Sequence, residues 1–241
     1  MKNKKQLVII GGGSSLSEGI SKGLWKKLEN KFTFGLNYSF NHFIPTAQIY
    51  VDKDFYEKQI KNGLQKLPLV IGKYHKDNKK IQTPNTITIK AISNYNRNIK
   101  HGIYKSSLVG LYALTLGIYL LDRMEGDDKE IFLLGYDYSS QGKDKKGREN
   151  THYYQEDPKL QHRGCGKINY YVTKNRAQKD FAPYKEIKDI KIYNVSMNSH
   201  IPTFPKITYI QFFSMLTTRP QNQVQLRTWI RTQLKNVEEK K

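Results

Sequence analysis

The chain has 241 residues, 37% hydrophobic and 12% aromatic, which supports one sizeable α/β domain with its own core and excludes wholesale disorder. Its 41 Lys and Arg against 21 Asp and Glu leave a formal charge of +20, a field that attracts polyanions such as nucleic acid, nucleotides or an anionic membrane surface. Lys, Asn, Ile and Tyr are abundant together, as AT-rich coding would produce, so part of the charge has a genomic explanation. The only cysteine, Cys165, rules out an internal disulfide and suits a reducing cytoplasm. The apolar run 7–10 is too short for a secretory leader. The run 108–121, interrupted by Gly110, Thr115 and Gly117, falls short of the roughly 20 residues that cross a bilayer.

Apolar runs bounded by Gly, Pro or Asn predict strands over 6–11, 32–37, 47–52, 67–72, 86–91, 130–136 and 190–195, and helical patterns lie at 18–30, 53–64, 105–123 and 167–184. This alternation predicts an α/β fold with a mostly parallel, helix-covered sheet, which binds ligands beyond the carboxyl ends of its strands. A domain over 1–218 and a final helix over 219–241 account for the chain. In that helix Leu226, Trp229, Ile230, Leu234 and Val237 share an apolar face, whereas Arg227, Arg231 and Lys235 recur every four residues on another. The row is either a solvated face of a docked helix or a nucleic-acid contact.

The first strand runs into "GGGSSLSEGI". Gly11, Gly12 and Gly13 let backbone approach a ligand, and Ser14 and Ser15 open a helix whose amide hydrogens favour an anion, so a phosphate is the expected occupant. The stretch is neither G-x-G-x-x-G nor a P-loop, and a tight turn without a ligand is the alternative. Asn37 ends the second strand, within reach of a ribose or base. The third ends in Asp52, with Asp54 two residues on; such a pair suits Mg²⁺ or Mn²⁺ bridging a diphosphate, unless Asp54 serves only as a helix N-cap. Gly135 and Asp137 follow the strand 130–136 and place a carboxylate at the same edge, as a base or as a turn cap. The loop 139–167 is long, basic and glycine-bearing, the character of a lid. It carries His152, His162 and Arg163, the histidines being candidate acid/base groups.

Taken in order, "VIIGGGSSL", "FGLNYSF", "QIYVDKDFY", "SSLVGLYALTLGIYLL" leading into "EIFLLGYDY", and "IKIYNVSMNSHIPTFPKI" resemble the bacterial sialyltransferase-like clan. That grouping includes motility-accessory and hydroxymethylpterin pyrophosphokinase-like proteins and many phage proteins. The resemblance implies a Rossmann-like sheet of the GT-A-like variety that binds a nucleotide-activated sugar, in the host cytoplasm if the chain is phage-encoded. By the same resemblance Gly11 to Ser15 line the phosphates, and Asn37 meets the nucleoside. Ser107 and Gly110 approach the donor from a helix start, Gly135 and Asp137 flank it, and Ser199 lies near from the last loop. His152, His162 and His200 compete for the catalytic histidine. The turn lacks the Asn and Pro of the sialyltransferases.

The leading expectation is therefore a glycosyltransferase using a nucleotide sugar, with hydroxymethylated DNA of the phage type as favoured acceptor because the charge fits a duplex best. A pyrophosphokinase-like enzyme using ATP and Mg²⁺, and a non-catalytic nucleic-acid-binding module, are the alternatives.

Overall fold

A computed structural model describes residues 4–75, 83–104, 108–140, 142–157, 159–160 and 174–238. All seven expected strands are present: β1 (Lys5–Ile10), β2 (Thr33–Leu36), β3 (Ala47–Tyr50), β4 (Val70–Lys73), β5 (Thr86–Ile89), β8 (Lys129–Leu134) and β9 (Lys191–Val195). They form one wholly parallel sheet in the order β5-β4-β3-β2-β1-β8-β9. Two short strands, β6 (Ala91–Ile92) and β7 (Ile103–Tyr104), pair separately. The chain lays down β1 to β5 toward one edge, then returns across the sheet to place β8 on the other side of β1. The switch in direction falls between β1 and β8, where a doubly wound sheet opens its ligand crevice.

Burial on both faces explains why these strands read as continuous apolar runs. Within β1, Leu7 and Ile9 join a core with Phe34, Ile49, Ile131 and the largely apolar helix α4 (Val109–Asp122), covered further by α5 (Lys174–Phe181) and α7 (Gln223–Glu238). Val8 and Ile10 point to the opposite face, against α1 (Leu16–Ser21), α2 (Leu24–Leu28) and α6 (Tyr209–Met215). On α3 (Lys53–Ile60), Tyr56 stacks on Tyr50 of β3 with ring centroids 4.3 Å apart. The result is an α/β, Rossmann-like single domain. Among the described residues no helix is long and apolar enough to cross a membrane.

Three elements differ from expectation. The helix expected over 18–30 breaks at Gly23, whose φ of +80° is costly for other residues, and becomes α1 and α2. The helix expected over 167–184 is seen as α5 followed by a 3₁₀ segment, Ala182–Glu186, with its first stretch outside the described residues. Helix α6 has no counterpart in the reading of the sequence. It is about two turns long and begins in a capping box, where the Thr208 hydroxyl accepts from the Gln211 amide and the Gln211 side chain accepts from the Thr208 amide.

The final helix is docked, with Leu226, Ile230, Leu234 and Val237 buried in the main core. Its basic row is not a free solvated face. Arg227 donates to the carbonyls of Thr46 (3.1 Å) and Pro45 (3.4 Å), and Arg231 to those of Pro68 (3.1 Å) and Asn85 (3.4 Å). These carbonyls immediately precede β3, β4 and β5, so both guanidiniums cap the amino edge of the sheet, opposite the crevice. Lys235 alone of the three is exposed. Replacing Arg227 with Met strands the Thr46 carbonyl in a buried site, and urea unfolding is expected to show a loss of about 1–3 kcal/mol. Lys235→Met is expected to change stability by less than about 0.5 kcal/mol.

Candidate functional site

The three glycines after β1 do different work. A Cβ on Gly11 would meet the Gly135 carbonyl oxygen at 2.7 Å, and one on Gly13 would meet the same oxygen at 2.6 Å and an Asp137 carboxylate oxygen at 2.5 Å. Both positions are bare because the turn after β8 packs directly on the turn after β1. The Gly11 amide donates to Leu134 (2.7 Å) and the Gly13 amide to Gly135 (2.9 Å). Gly135 supports the contact with a φ of +64°. Gly12 faces elsewhere: a Cβ there would meet only side-chain atoms, the Tyr154 hydroxyl at 3.2 Å, the Asn37 amide nitrogen at 3.3 Å and the His152 ring at 3.3 Å.

The anion at the start of α1 is internal. Asp137, 2% exposed, accepts from the Ser15 amide at 2.8 Å and from the Ser15 hydroxyl, in the position the sequence reading assigns to a phosphate. Burial raises its pKa, and hydrogen bonds from Ser15, Ser196 and Ser14 oppose that rise. Gly11, Gly13 and Ser15 thus direct their amides to β8 and its turn, whereas Gly12 faces the side chains of Tyr154, Asn37 and His152. The strain of the contact appears in Tyr138, a non-glycine residue at φ +52° immediately after the carboxylate.

The described part of the 139–167 loop lies over Gly12. His152 bridges to Gly13 in antiparallel fashion, and the Tyr153 amide donates to the Gly12 carbonyl at 3.1 Å. Gln155 organises this segment by donating to the Asp144 carboxylate (2.7 Å) and the Glu149 carbonyl (2.9 Å), which leaves its own oxygen to accept from the Thr151 hydroxyl (3.1 Å). The Thr151 hydroxyl also meets His152 Nδ1 at 2.8 Å, a contact that helps to orient the imidazole ring. Asp144, desolvated but held by hydrogen bonds from Gln155 and Arg148, has its pKa lowered to about 2.

Beside Gly12 a cleft of about 440 Å³ is walled by Trp25, His42, Tyr153 and Tyr154, with Ser17 and Ser21 of α1 on one side. Trp25 stacks on His42 with planes 5° apart, and His42 meets Tyr153 edge-on at 5.7 Å. Burial raises the pKa of the Tyr153 phenol, so it stays a neutral donor. Reading the sequence did not single out Trp25 or His42 as site residues. They stand 17 positions apart from each other and more than 110 from Tyr153, and only the tertiary fold brings them together.

The other expected residues fall as follows. Asn37, at φ +50°, reaches Gly12, while its carbonyl accepts from Gln48. Asp52 is exposed and is itself the N-cap residue of α3, though without a side-chain capping bond, and Asp54 sits in the first turn, so the capping position is one the sequence reading assigned to the wrong aspartate. Among the described residues no group of three or more His, Cys, Asp or Glu is arranged for a metal ion, and Asp52 with Asp54 does not make such a site. Gly110 is closed off by the Tyr136 hydroxyl, which donates to its carbonyl at 3.0 Å. Ser199 is buried and fully engaged, donating to the Tyr136 carbonyl and accepting from Asn194 and Ile201. Ser107, His162 and Arg163 lie outside the described residues. His200 is exposed, its amide donating to the Asp137 carbonyl at 2.8 Å.

No family model, curated protein or solved structure matches this chain.

Two predictions follow from the division of labour among the glycines and from the buried carboxylate. Gly13→Ala is expected to lower stability by about 1–3 kcal/mol, because its methyl meets backbone that cannot yield. Gly12→Ala is expected to leave the melting temperature nearly unchanged, because it displaces only side-chain ends. Because the folded-state pKa of Asp137 is raised, the corresponding stability is present below the unfolded value of 3.8 and is lost as pH rises above it. Asp137→Asn, which keeps an acceptor for the Ser15 amide, is expected to gain on the wild type as pH rises from about 4 to 7. Urea midpoints across that range measure the difference.

Proposed function

We propose that the chain is a glycosyltransferase that binds a nucleotide-activated sugar at the carboxyl edge of the sheet, with the nucleoside in the aromatic cleft beside Gly12. The observation that supports the reading is the convergence of His152, Asn37 and Tyr154 on the bare Cα of Gly12, next to the switch between β1 and β8. Trp25, His42 and Tyr153 offer flat faces to a base, and the Asn37 amide offers polar contact to a ribose. His152, beside Gly12, takes the proton of an acceptor hydroxyl. The acceptor oxygen then bonds to the anomeric carbon as the carbon–oxygen bond to the nucleoside diphosphate breaks, and the diphosphate leaves with the electron pair. No step is assigned to a metal ion.

Hydroxymethylated DNA remains the favoured acceptor, on the +20 charge. Arg227 and Arg231 cap the far edge of the sheet, so contacts to a duplex fall to Lys235 and to the lysines of the loop that covers Gly12.

The test begins with titration calorimetry of nucleoside diphosphates and nucleotide sugars. Tight binding by the wild type, with loss of at least about tenfold in Gly12→Val, supports the site, and unchanged affinity removes it. The same donors are then offered with hydroxymethylated DNA, unmodified DNA and saccharides, and the digested nucleosides are weighed. A sugar mass increment on modified DNA that declines steeply as salt rises from about 50 to 200 mM is expected. His152→Ala is expected to lower turnover by about 10²–10⁴-fold with donor affinity retained. Pyrophosphoryl transfer from ATP, or DNA binding without any nucleotide affinity, would instead identify the two alternatives, and equal turnover in EDTA and in Mn²⁺ would exclude a role for Asp52 and Asp54 in holding a metal.

A further inference from the structure

A smaller cleft of about 180 Å³ lies on the other side of α1, but the hydroxyls of Ser14, Ser196 and Tyr209 that border it are covered, and those of the two serines turn to the Asp137 carboxylate. The chemistry of this edge therefore rests on the segment that carries His152 over Gly12. That segment is built around the side chain of Gln155, which is 0% exposed. Its nitrogen donates to the Asp144 carboxylate at 2.7 Å and to the Glu149 carbonyl at 2.9 Å, two groups that only accept. Its oxygen accepts from the Thr151 amide at 3.0 Å, a group that only donates. The side-chain amide therefore has a single orientation, since reversing it sets acceptor against acceptor and donor against donor. Asp144 is held in turn by the amides of Lys146 (2.9 Å) and Arg148 (2.8 Å) and by the Arg148 guanidinium (2.9 Å). Gln155 thus ties the turn 144–149 to the residue immediately before His152. The buried Thr151 hydroxyl lies 3.1 Å from the Gln155 oxygen and 2.8 Å from His152 Nδ1, and the Cδ2 edge of the same imidazole faces Gly12.

We propose that Gln155, acting through Thr151, is a positioning residue that fixes the imidazole of His152 over Gly12. The backbone at this point has its own anchors, the bridge from His152 to Gly13 and the bond from the Tyr153 amide to the Gly12 carbonyl. What those anchors leave free is rotation of the ring about its side-chain bonds. The Tyr154 ring, 5.2 Å away, packs against the imidazole without distinguishing its two nitrogens, whereas the Thr151 hydroxyl engages Nδ1. Gln155 grips Thr151 at both its amide and its hydroxyl, so the direction of that hydroxyl is set from within the segment. A base whose ring is held in this way loses little on forming a reactive geometry, which is the advantage of a prepositioned group. The inference rests on the function proposed above only for the role of His152 as base; the orientation of the ring is a property of the protein without substrate.

The test uses the whole chain with Thr151→Val, Thr151→Ser and Gln155→Met, and reads the His152 ring by nitrogen NMR at about pH 8–9, where an ordinary imidazole is neutral. In the wild type the two ring nitrogens are expected to resonate far apart, as in one fixed tautomer. Thr151→Val and Gln155→Met are each expected to move both signals toward the averaged positions of free histidine, and Thr151→Ser, which keeps the hydroxyl, to restore the wild-type pattern. Turnover is expected to fall by roughly 10- to 100-fold in Thr151→Val with the KM for the donor unchanged, and to recover in Thr151→Ser. Should Gln155→Met fail to fold, Gln155→Glu takes its place, keeping the shape and losing the donors to Asp144 and Glu149. Nitrogens that already average in the wild type, ring spectra unchanged in the variants, or a ring that responds to Thr151→Val and not to the Gln155 variants would overturn the inference. Ring signals that shift as expected in a protein without turnover on any nucleotide sugar would uphold the positioning and overturn the transferase reading alone.

Discussion

Everything at the carboxyl edge of this sheet depends on the contact between the turn after β1 and the turn after β8. Two backbone hydrogen bonds, Gly11 to Leu134 and Gly13 to Gly135, draw the turns together until neither glycine has room for a side chain. The Asp137 carboxylate then closes the contact by accepting from Ser15. A buried carboxylate is costly unless hydrogen bonds favour its charged form, and the bonds from the start of α1 oppose that cost without cancelling it. The same bonds orient α1, so a constraint within the backbone determines where the walls of both clefts stand.

The consequence is a divided edge. In the commonest arrangement of such sheets the turn after the first strand opens onto a ligand's phosphates. Here the contact between the turns after β1 and β8 closes the middle of the crevice and leaves openings on either side of α1, one aromatic and one bordered by polar side chains. The two differ in the surfaces they offer, flat rings in one and small polar side chains in the other. The +20 charge acts at longer range, raising the local concentration of anionic partners without selecting among them, and Glu18, Glu156 and Asp157 beside the openings show that the field at the clefts differs from the field of the whole.

The amino edge is built for stability. Helix α7 buries four aliphatic side chains in the main core and ends the strands' exposed carbonyls with Arg227 and Arg231. Burial lowers the pKa of Arg227, a sign that its guanidinium is partly desolvated and held by these carbonyls rather than by water. Charge that looks available in the sequence is in this way already committed within the fold. Separating the two edges allows substitutions at the clefts to be judged for function with little interference from stability.

Period and punctuation in the sequence determined the seven strands, the parallel α/β class, the apolar α4 and the docked face of α7, because burial on two faces writes itself into every strand and a buried stripe into the last helix. They also placed Gly12, Asn37, Asp137 and His152 at one edge, since strand ends in a parallel sheet all face the same way. Sequence could not separate the three glycines, because whether a Cα is bare for a ligand or for a neighbouring carbonyl depends on what the fold brings against it, here the turn 135–137 more than 120 positions away. It could not tell that Arg227 and Arg231 are occupied, since their partners are backbone carbonyls that carry no residue signature. Nor could it assemble Ser14, Ser196 and Tyr209, three ordinary residues that become a group only when β1 and β9 lie on either side of β8 and the short helix α6 folds back against α1. Local pattern is legible wherever burial repeats along the chain; convergence of distant side chains is decided by strand order, which no single stretch contains.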